Sequence, residues 1–296
     1  MLDLIAQVES APEPGETVLG QRLDTHPGGK GFNQAIAAAR LGCAVDLVAR
    51  VGNDEPRTLF LETLDRNGIG RAHVSVDAEQ GTGTSLIVVD AHGENRIVAT
   101  PRANLALTPA HVAEASASLA NAGALLLSFE VPLHALTAAV ALAGPDTLVC
   151  LNAAPAQPIP ADLAARLDVL IVNEIEAAAL TGTPVDRIDA ALQAAHRLRT
   201  LARKAAVVTL GEQGAVYAAE GASGHVPAFE TDVRDTTGAG DAFCAALAFA
   251  LTTGYAIHDA VCLANAAGSL ATRTPGAAPA MPTAAAVRAL AGATQG

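Results

Sequence analysis

No run of basic residues occurs anywhere in this chain of 296 residues, which carries 18 lysines and arginines against 30 aspartates and glutamates, a formal net charge of -12. Such a balance offers nothing to neutralise the phosphates of a nucleic-acid strand, which excludes nucleic acid as a partner. A small anion is still an allowed ligand, because helix ends supply local positive potential whatever the net charge. No apolar stretch reaches the roughly 18 residues that a membrane helix needs, and the start lacks a basic segment ahead of an apolar one. We therefore expect no membrane span, no signal peptide and a cytoplasmic location. Cysteine is scarce: Cys43, Cys150, Cys244 and Cys262 lie far apart without a C-x-x-C pair, and read as reduced core residues. The histidines (His26, His73, His92, His111, His134, His196, His225 and His258) are equally scattered, which argues against a metal centre built on them. Repeats and low-complexity linkers are also missing.

What is present is enough apolar residue, 51% of the chain, for a substantial core. Short apolar runs alternate with Ala/Leu-rich helical segments: Val45 to Val51, then Arg57 to Asn67; Ala124 to Ser128, then Leu133 to Leu142; Thr147 to Leu151; Val169 to Val172, then Glu174 to Leu180; and Ala206 to Leu210. Continuous Val/Leu/Ile runs between helices predict strands buried on both faces, hence a three-layer α/β/α core around a mostly parallel sheet. Two stretches break the alternation. Leu2 to Asp24 turns at Pro12-Glu13-Pro14-Gly15, and Thr82 to Thr100 turns at Asp90 to Asn95; both read as antiparallel ribbons. The predicted division is a β-ribbon lid of residues 1–27 and 80–104 over a core of residues 28–79 and 105–296. A lid suits phosphoryl transfer, which requires water to be kept out.

Two glycine-rich turns carry the chemistry. Asp235-Thr236-Thr237-Gly238-Ala239-Gly240-Asp241 runs directly into the apolar stretch Ala242 to Leu251. A Gly-Ala-Gly turn opening a helix leaves backbone N–H groups aimed outward with no side chains in the way, which makes a phosphate seat. Asp241 stands where a bound phosphate would repel it, which points to a chemical role, that of taking a proton from a hydroxyl that attacks phosphorus. An ordinary N-cap is the bland reading of the same residues. The second turn, Pro27-Gly28-Gly29-Lys30-Gly31-Phe32-Asn33-Gln34, leads into a helix that stops at Gly42. Two polar-tipped helix starts make most sense with one shared ligand.

Gly28 to Gln34 resembles the first signature of the ribokinase-like sugar kinases, the phosphofructokinase B family, and Asp235 to Phe243 resembles the second. Pro14-Gly15-Glu16-Thr17, Leu151-Asn152-Ala153-Ala154-Pro155-Ala156, Asn173-Glu174-Ile175-Glu176 and Thr209-Leu210-Gly211 are similar to intermediate markers of the family, so the likeness spans nearly the whole chain. The resemblance implies Asp241 as catalytic base, with the amides of Gly238, Ala239 and Gly240 as the anion hole. It implies sugar binding by Asp3, Gly29, Lys30, Asn33 and Glu130, a mixed set of donors and acceptors suited to a polyol. Lys30 is one of two lysines in the chain, the other being Lys204. ATP falls to Asn173, Thr209, Gly211, Gly240 and Asn265, although Asn265 reads equally well as a polar residue on a buried helix. Magnesium, held through water, falls to Asn173 and Glu176. Potassium falls to Asp235, Thr237 and the loop from Arg273 to Ala280 at Gly276, although Asp235 is explained as readily as the cap of its own turn. The implied activity is transfer of the γ-phosphoryl group of ATP to a primary hydroxyl, that of D-ribose first, with nucleoside or fructose kinases of the same family and a non-catalytic sensor as alternatives. A homodimer joined through the lid is also implied.

The sequence departs from the family pattern at three places. Members normally begin with a strand ending in Asn-x-Asp; here Asp3 fits the aspartate, Met1 stands at the asparagine, and no strand precedes it. An interior strand missing from the sheet is costly, which predicts a natural start further upstream or weak activity. Phe32 replaces a small residue and is expected to narrow or reshape the pocket. Ala153 stands where proline is more usual.

Overall fold

The computed structural model describes residues 1–92 and 94–292; Gly93 of the expected turn lies outside the described residues. Strands β1 (Leu2–Gln7), β2 (Arg22–Pro27), β3 (Ala49–Gly52), β4 (Val74–Asp77), β5 (Thr84–Val89), β6 (Asn95–Thr100), β7 (Ala124–Ser128), β8 (Leu148–Asn152), β9 (Val169–Asn173), β10 (Ala205–Thr209), β11 (Ala215–Ala219) and β12 (Ala222–Val226) form three sheets. The principal helices are α1 (Lys30–Arg40), α2 (Pro56–Arg66), α3 (Leu133–Leu142), α4 (Glu174–Thr181), α5 (Ile188–Leu198), α6 (Ala239–Thr252), α7 (Ile257–Ala271) and α8 (Ala284–Gly292).

The largest sheet has the order β12-β11-β10-β9-β8-β7. Its β7, β8, β9 and β10 run parallel, and β11 and β12 close it as an antiparallel meander. Alternation along each strand sends side chains to two separate cores. Cys150, Val169, Ile171 and Val207 pack with α1, α6 and α7; Val149, Leu151, Leu170, Val172 and Val208 pack with α3 and α5. This is the three-layer arrangement that the apolar runs predict. α6 is the innermost helix, and its alanines let α1 and α7 approach it closely, so Ala242 to Ala248 are buried all round. Such a helix cannot shift without disturbing both neighbours, and that rigidity fixes the turn at its start.

The two antiparallel ribbons exist, but they are not independent. β1 pairs antiparallel with β2 and parallel with β5, which pairs antiparallel with β6, so both ribbons merge into one outlying sheet of order β2-β1-β5-β6. Pairing β1 with β5 satisfies backbone groups that separate hairpins would leave open.

The region from Val45 to Val51 differs from expectation. Strand geometry begins only at Ala49, and β3 pairs with β4 in a small parallel sheet of its own. Among the described residues, the edge of β3 opposite β4 and the edge of β7 opposite β8 have no strand partner. Between them lies a cavity of ≈ 90 Å³ lined by Met1, Phe32, Leu47 to Val51, Phe60, Leu64, Ser128, Glu130 and Val131, among others. Phe32 is not in the pocket around Asp241: its ring packs edge-on against Phe60, with centroids 4.9 Å apart, on the side of this cavity. Helical direction explains the correction, because Phe32 lies about 100° around α1 from Asn33 and so faces the core. Ala153 donates its backbone N–H to the Ile171 carbonyl at 3.0 Å, a bond that proline has no hydrogen to make.

Cys150 and Cys244 are buried, Cys43 and Cys262 partly so, and all four are unpaired. None of the eight histidines is buried. Among the described residues, no helix is long and apolar enough to cross a membrane.

Candidate active site

The parallel strands end at Ser128, Asn152, Asn173 and Thr209, all on one rim of the sheet, and ligands of open α/β sheets collect outside such carboxyl ends. A pocket of ≈ 250 Å³ opens there. Lys30, Asn152, Asn173, Glu176, Thr209, Thr236, Gly238, Gly240, Asp241 and Cys244 line it, with Ile171 and Val172 behind.

Both glycine turns meet at this pocket. Gly29 caps α1 at φ 96°, and Gly238 caps α6 at φ 80°, each in the left-handed region that glycine tolerates best. A Cβ on Gly29 would lie 2.6 Å from the Met1 nitrogen; one on Gly238 would lie 2.8 Å from the Ala277 Cβ and 2.9 Å from the Met281 Cε. Strain and overlap together predict that Gly238→Ala lowers stability by about 1–3 kcal/mol, read as a drop in the thermal midpoint. An unchanged midpoint would mean that this turn is slacker than its geometry states.

Helices α1 and α6 bring residues more than 200 positions apart into contact. The Asn33 Nδ2 donates to Asp241 Oδ2 at 2.8 Å, and the Gln34 Nε2 donates to Asp241 Oδ1 at 3.1 Å. Burial pushes the Asp241 carboxyl above its ordinary value, opposed by the Lys30 ammonium and these two amides. Lys30, the first residue of α1, is held above the usual lysine range: burial works against its charge, but Asp241, Glu130 and Glu176 outweigh it. The Asn33 Oδ1 is buried without a hydrogen-bond partner, an open acceptor beside the carboxylate. Sequence reading passed over Gln34 as a site residue. Its signal was there: a second polar side chain in the first turn of a helix otherwise rich in alanine.

At the mouth of α6, the Ala239 N–H donates to the Thr236 carbonyl at 3.2 Å, so it is already engaged in the turn. The amides of Gly238 and Gly240 have no acceptor among the described residues. Asp235 ties this turn to the next loop. Its Oδ1 accepts from the Thr237 N–H at 2.9 Å and Oγ1 at 2.6 Å, and its Oδ2 accepts from the Gly276 N–H at 2.7 Å. Burial works against the charge of Asp235, but these donors, Gly276 first, outweigh it and hold the carboxyl below its ordinary value.

Asn173 and Glu176 form a reciprocal capping box at the start of α4: Asn173 Oδ1 accepts from the Glu176 N–H at 2.8 Å, and Glu176 Oε2 accepts from the Asn173 N–H at 2.9 Å. Both side chains also border the pocket. No group of three or more His, Cys, Asp or Glu suited to a metal occurs among the described residues. One carboxylate beside a phosphate-sized space fits magnesium, which keeps most of its waters and takes few protein ligands.

Some expected site residues stand apart from this pocket. Glu130 lies on the neighbouring cavity with Gly29 and Met1, and its Oε2 accepts from the Lys30 N–H at 2.8 Å. Asp3 is buried on β1 against Gly28, where burial raises its carboxyl and a hydrogen bond from Ser85 opposes the rise. Asn265, buried on α7, gives its Nδ2 to the carbonyls of Val226 at 2.9 Å and Pro227 at 3.1 Å, so it tethers the end of β12. Neither Asn265 nor Gly211, which opens a short turn after β10, belongs to the pocket lining.

A parallel sheet with a phosphate-sized pocket at its strand ends, and an acid held at a glycine-opened helix start, defines a phosphoryl-transfer class of α/β protein. The chain belongs to the pfkB family of carbohydrate kinases, whose family model matches residues 1–284. It is 37% identical over 283 residues to the ribokinase of Bacillus subtilis, covering 95% of this chain and 93% of that one. It is 34% identical over 287 residues to the bifunctional ribokinase/ribose-5-phosphate isomerase A of Fructilactobacillus sanfranciscensis, and spans about half (53%) of that longer protein. Among solved structures, Arabidopsis thaliana ribokinase complexed with ribose and ATP superposes with a TM-score of 0.89 at 31% identity, covering 98% of this chain and 95% of that one.

Proposed function

We propose that this protein transfers the γ-phosphoryl group of ATP to the primary 5-hydroxyl of D-ribose. The observation that carries the reading is the carboxylate of Asp241, fixed between two glycine turns by Asn33 and Gln34 at the carboxyl rim of the sheet. Relatives similar over almost the whole chain include ribokinases, which favours ribose as the acceptor.

In this reading, Asp241 receives the proton of the attacking hydroxyl, and the free amides of Gly238 and Gly240 face the charge that develops on the moving phosphoryl group, with Ala239 completing the turn. Asp3, Gly29, Lys30, Asn33 and Glu130 hold the sugar, and the ammonium of Lys30 also offsets phosphate charge. ATP lies along Asn173, Thr209, Gly211 and Gly240 toward α7, with Asn265 supporting that wall. Asn173 and Glu176 would hold magnesium through water, and the metal would supply charge neutralisation at the phosphates. Potassium near Asp235, Thr237 and Gly276 would stiffen the loops that Asp235 already joins.

The outlying sheet of β1, β2, β5 and β6 serves as the lid. Leu23, Leu86 and Val98 share one of its faces by strand register and are exposed, a surface that suits pairing with a second copy. A cytoplasmic location is part of the same proposal.

Release of ADP is to be measured with D-ribose, D-fructose and adenosine, each with and without potassium. The highest kcat/KM is expected with D-ribose, and potassium should raise it. A preference for the nucleoside, or no turnover of any acceptor, overturns the ribose reading.

A further inference from the structure

Asp241 has two oxygens, and they are not equivalent. Oδ2 is held by Asn33, at 2.8 Å; Oδ1 is held by Gln34, at 3.1 Å. Asn33 and Gln34 are both buried, at 4% and 3% exposure, so neither amide exchanges its partner for bulk water. They differ in one respect. The Asn33 carbonyl oxygen is buried with no partner, whereas Gln34 carries no such orphan among the described residues. Leaving a buried acceptor unpartnered is costly, so Asn33 gains from a hydroxyl arriving beside it. Gln34 has no comparable reason to leave Asp241.

From this asymmetry we infer that Gln34 is a positioning residue: its side-chain amide clamps Oδ1 of Asp241 and leaves Oδ2 as the oxygen that takes the acceptor's proton. The inference rests on reading Asp241 as the base of the kinase. As the sugar's hydroxyl oxygen forms its bond to the γ-phosphorus, the bond from phosphorus to the β,γ-bridging oxygen breaks. ADP leaves with that electron pair, and the hydroxyl proton passes to Oδ2. For this the carboxylate plane must keep Oδ2 toward the acceptor after Asn33 has turned to the sugar. A neutral donor on Oδ1 does so without adding charge.

Other groups face Asp241 as well: Lys30 from the same helix as Gln34, Cys244 one turn along α6, and Glu130 from the end of β7, with Glu176 beyond Lys30. None of them is within hydrogen-bonding distance of Oδ1 among the described residues. Removing the Gln34 donor therefore takes away a bond to the ionised form that no neighbour replaces, and the carboxyl becomes harder to ionise.

Two full-length variants test this. Gln34→Met keeps the length and volume without a donor; Gln34→Glu keeps the shape and adds a like charge. We expect Gln34→Met to lower kcat roughly 10-fold or more while the KM values for sugar and ATP stay close to wild type. The acid limb of the kcat profile should move to higher pH in Gln34→Met, and further in Gln34→Glu. Carbon-13 titration of the Asp241 carboxyl, assigned by its loss in Asp241→Asn, should show the same order without any turnover. An acid limb and titration that stay put in both variants overturn the inference. So does a joint fall of kcat, both affinities and the melting temperature with the limb unmoved, which marks a packing role. If wild type turns over no sugar, the kinase reading fails, and the titration alone still decides whether Gln34 governs the carboxyl.

Discussion

Asp241→Asn is expected to lower kcat by roughly 10²–10⁴-fold, the usual contribution of a positioned general base, while leaving nucleotide affinity near wild type. The substitution keeps the shape but leaves a single acceptor oxygen for the two amides that Asn33 and Gln34 offer. Stability should move the opposite way to activity. Burial raises the Asp241 carboxyl above its ordinary value of 3.8, so the fold prefers the protonated form. A raised acid contributes stability below its unfolded value and loses that contribution as pH rises through the folded value. At neutral pH the ionised carboxylate is therefore a burden that asparagine removes. We expect the variant's melting temperature at pH 7 to equal or exceed that of wild type, and the gap to close on acidification. Activity in wild type should decline on the acid side at a pH above that of an ordinary aspartate. Persistence of turnover in Asp241→Asn would remove the base from the mechanism. A variant that melts well below wild type at pH 7 would show that the Lys30 ammonium and the two amides together outweigh burial at this carboxyl.

The same carboxylate shows how far residues alone lead. Both glycine turns were legible because their chemistry is local: glycine before an apolar helix, with a polar residue at its first turn. The strands of the large sheet were legible for the same reason, since Val169–Asn173 and Ala205–Thr209 are almost unbroken apolar runs. Direction was not legible. Phe32 and Asn33 are adjacent, yet one enters the core against Phe60 and the other reaches Asp241, a division set by where α6 lies and not by local sequence. Asn265 illustrates the reverse: its amide answers two carbonyls after β12, and nothing in the sequence near 265 announces those acceptors. The two ribbons were expected together in one lid, but the parallel pairing of β1 with β5 that joins them was not legible, because strands about 80 residues apart pair by tertiary placement.

The second large effect concerns the unpaired edges of β3 and β7. A segment of about seven extended, alternately apolar residues joined ahead of Met1 is expected to enter between them, parallel to β7, and to pair with both. Three observations favour this. Both edges are open among the described residues, and the cavity between them is walled by Phe32, Val51, Phe60 and Leu64. The Met1 ammonium sits at its mouth, donating to the Gly28 carbonyl at 2.6 Å, and burial pushes its pKa down against the pull of Glu130 and Asp3. Conversion of that amine to a peptide N–H keeps the donor and removes the charge that burial penalises. A cavity of ≈ 90 Å³ admits side chains but not a whole strand, so β3, β4 and α2 must move outward as it enters. The gain is the covered apolar surface and the paired edges, less that movement. A net of about 2 kcal/mol corresponds to a rise of roughly 4–8 °C in the thermal midpoint at about 2–4 °C per kcal/mol. Because Glu130 and Gly29 border both the cavity and the start of α1, the affinity for the sugar should tighten as well. A Gly/Ser segment of equal length is the control, since it offers no apolar side chains to the slot. Equal melting temperatures for the two extensions would show that the gap is a settled part of the native packing.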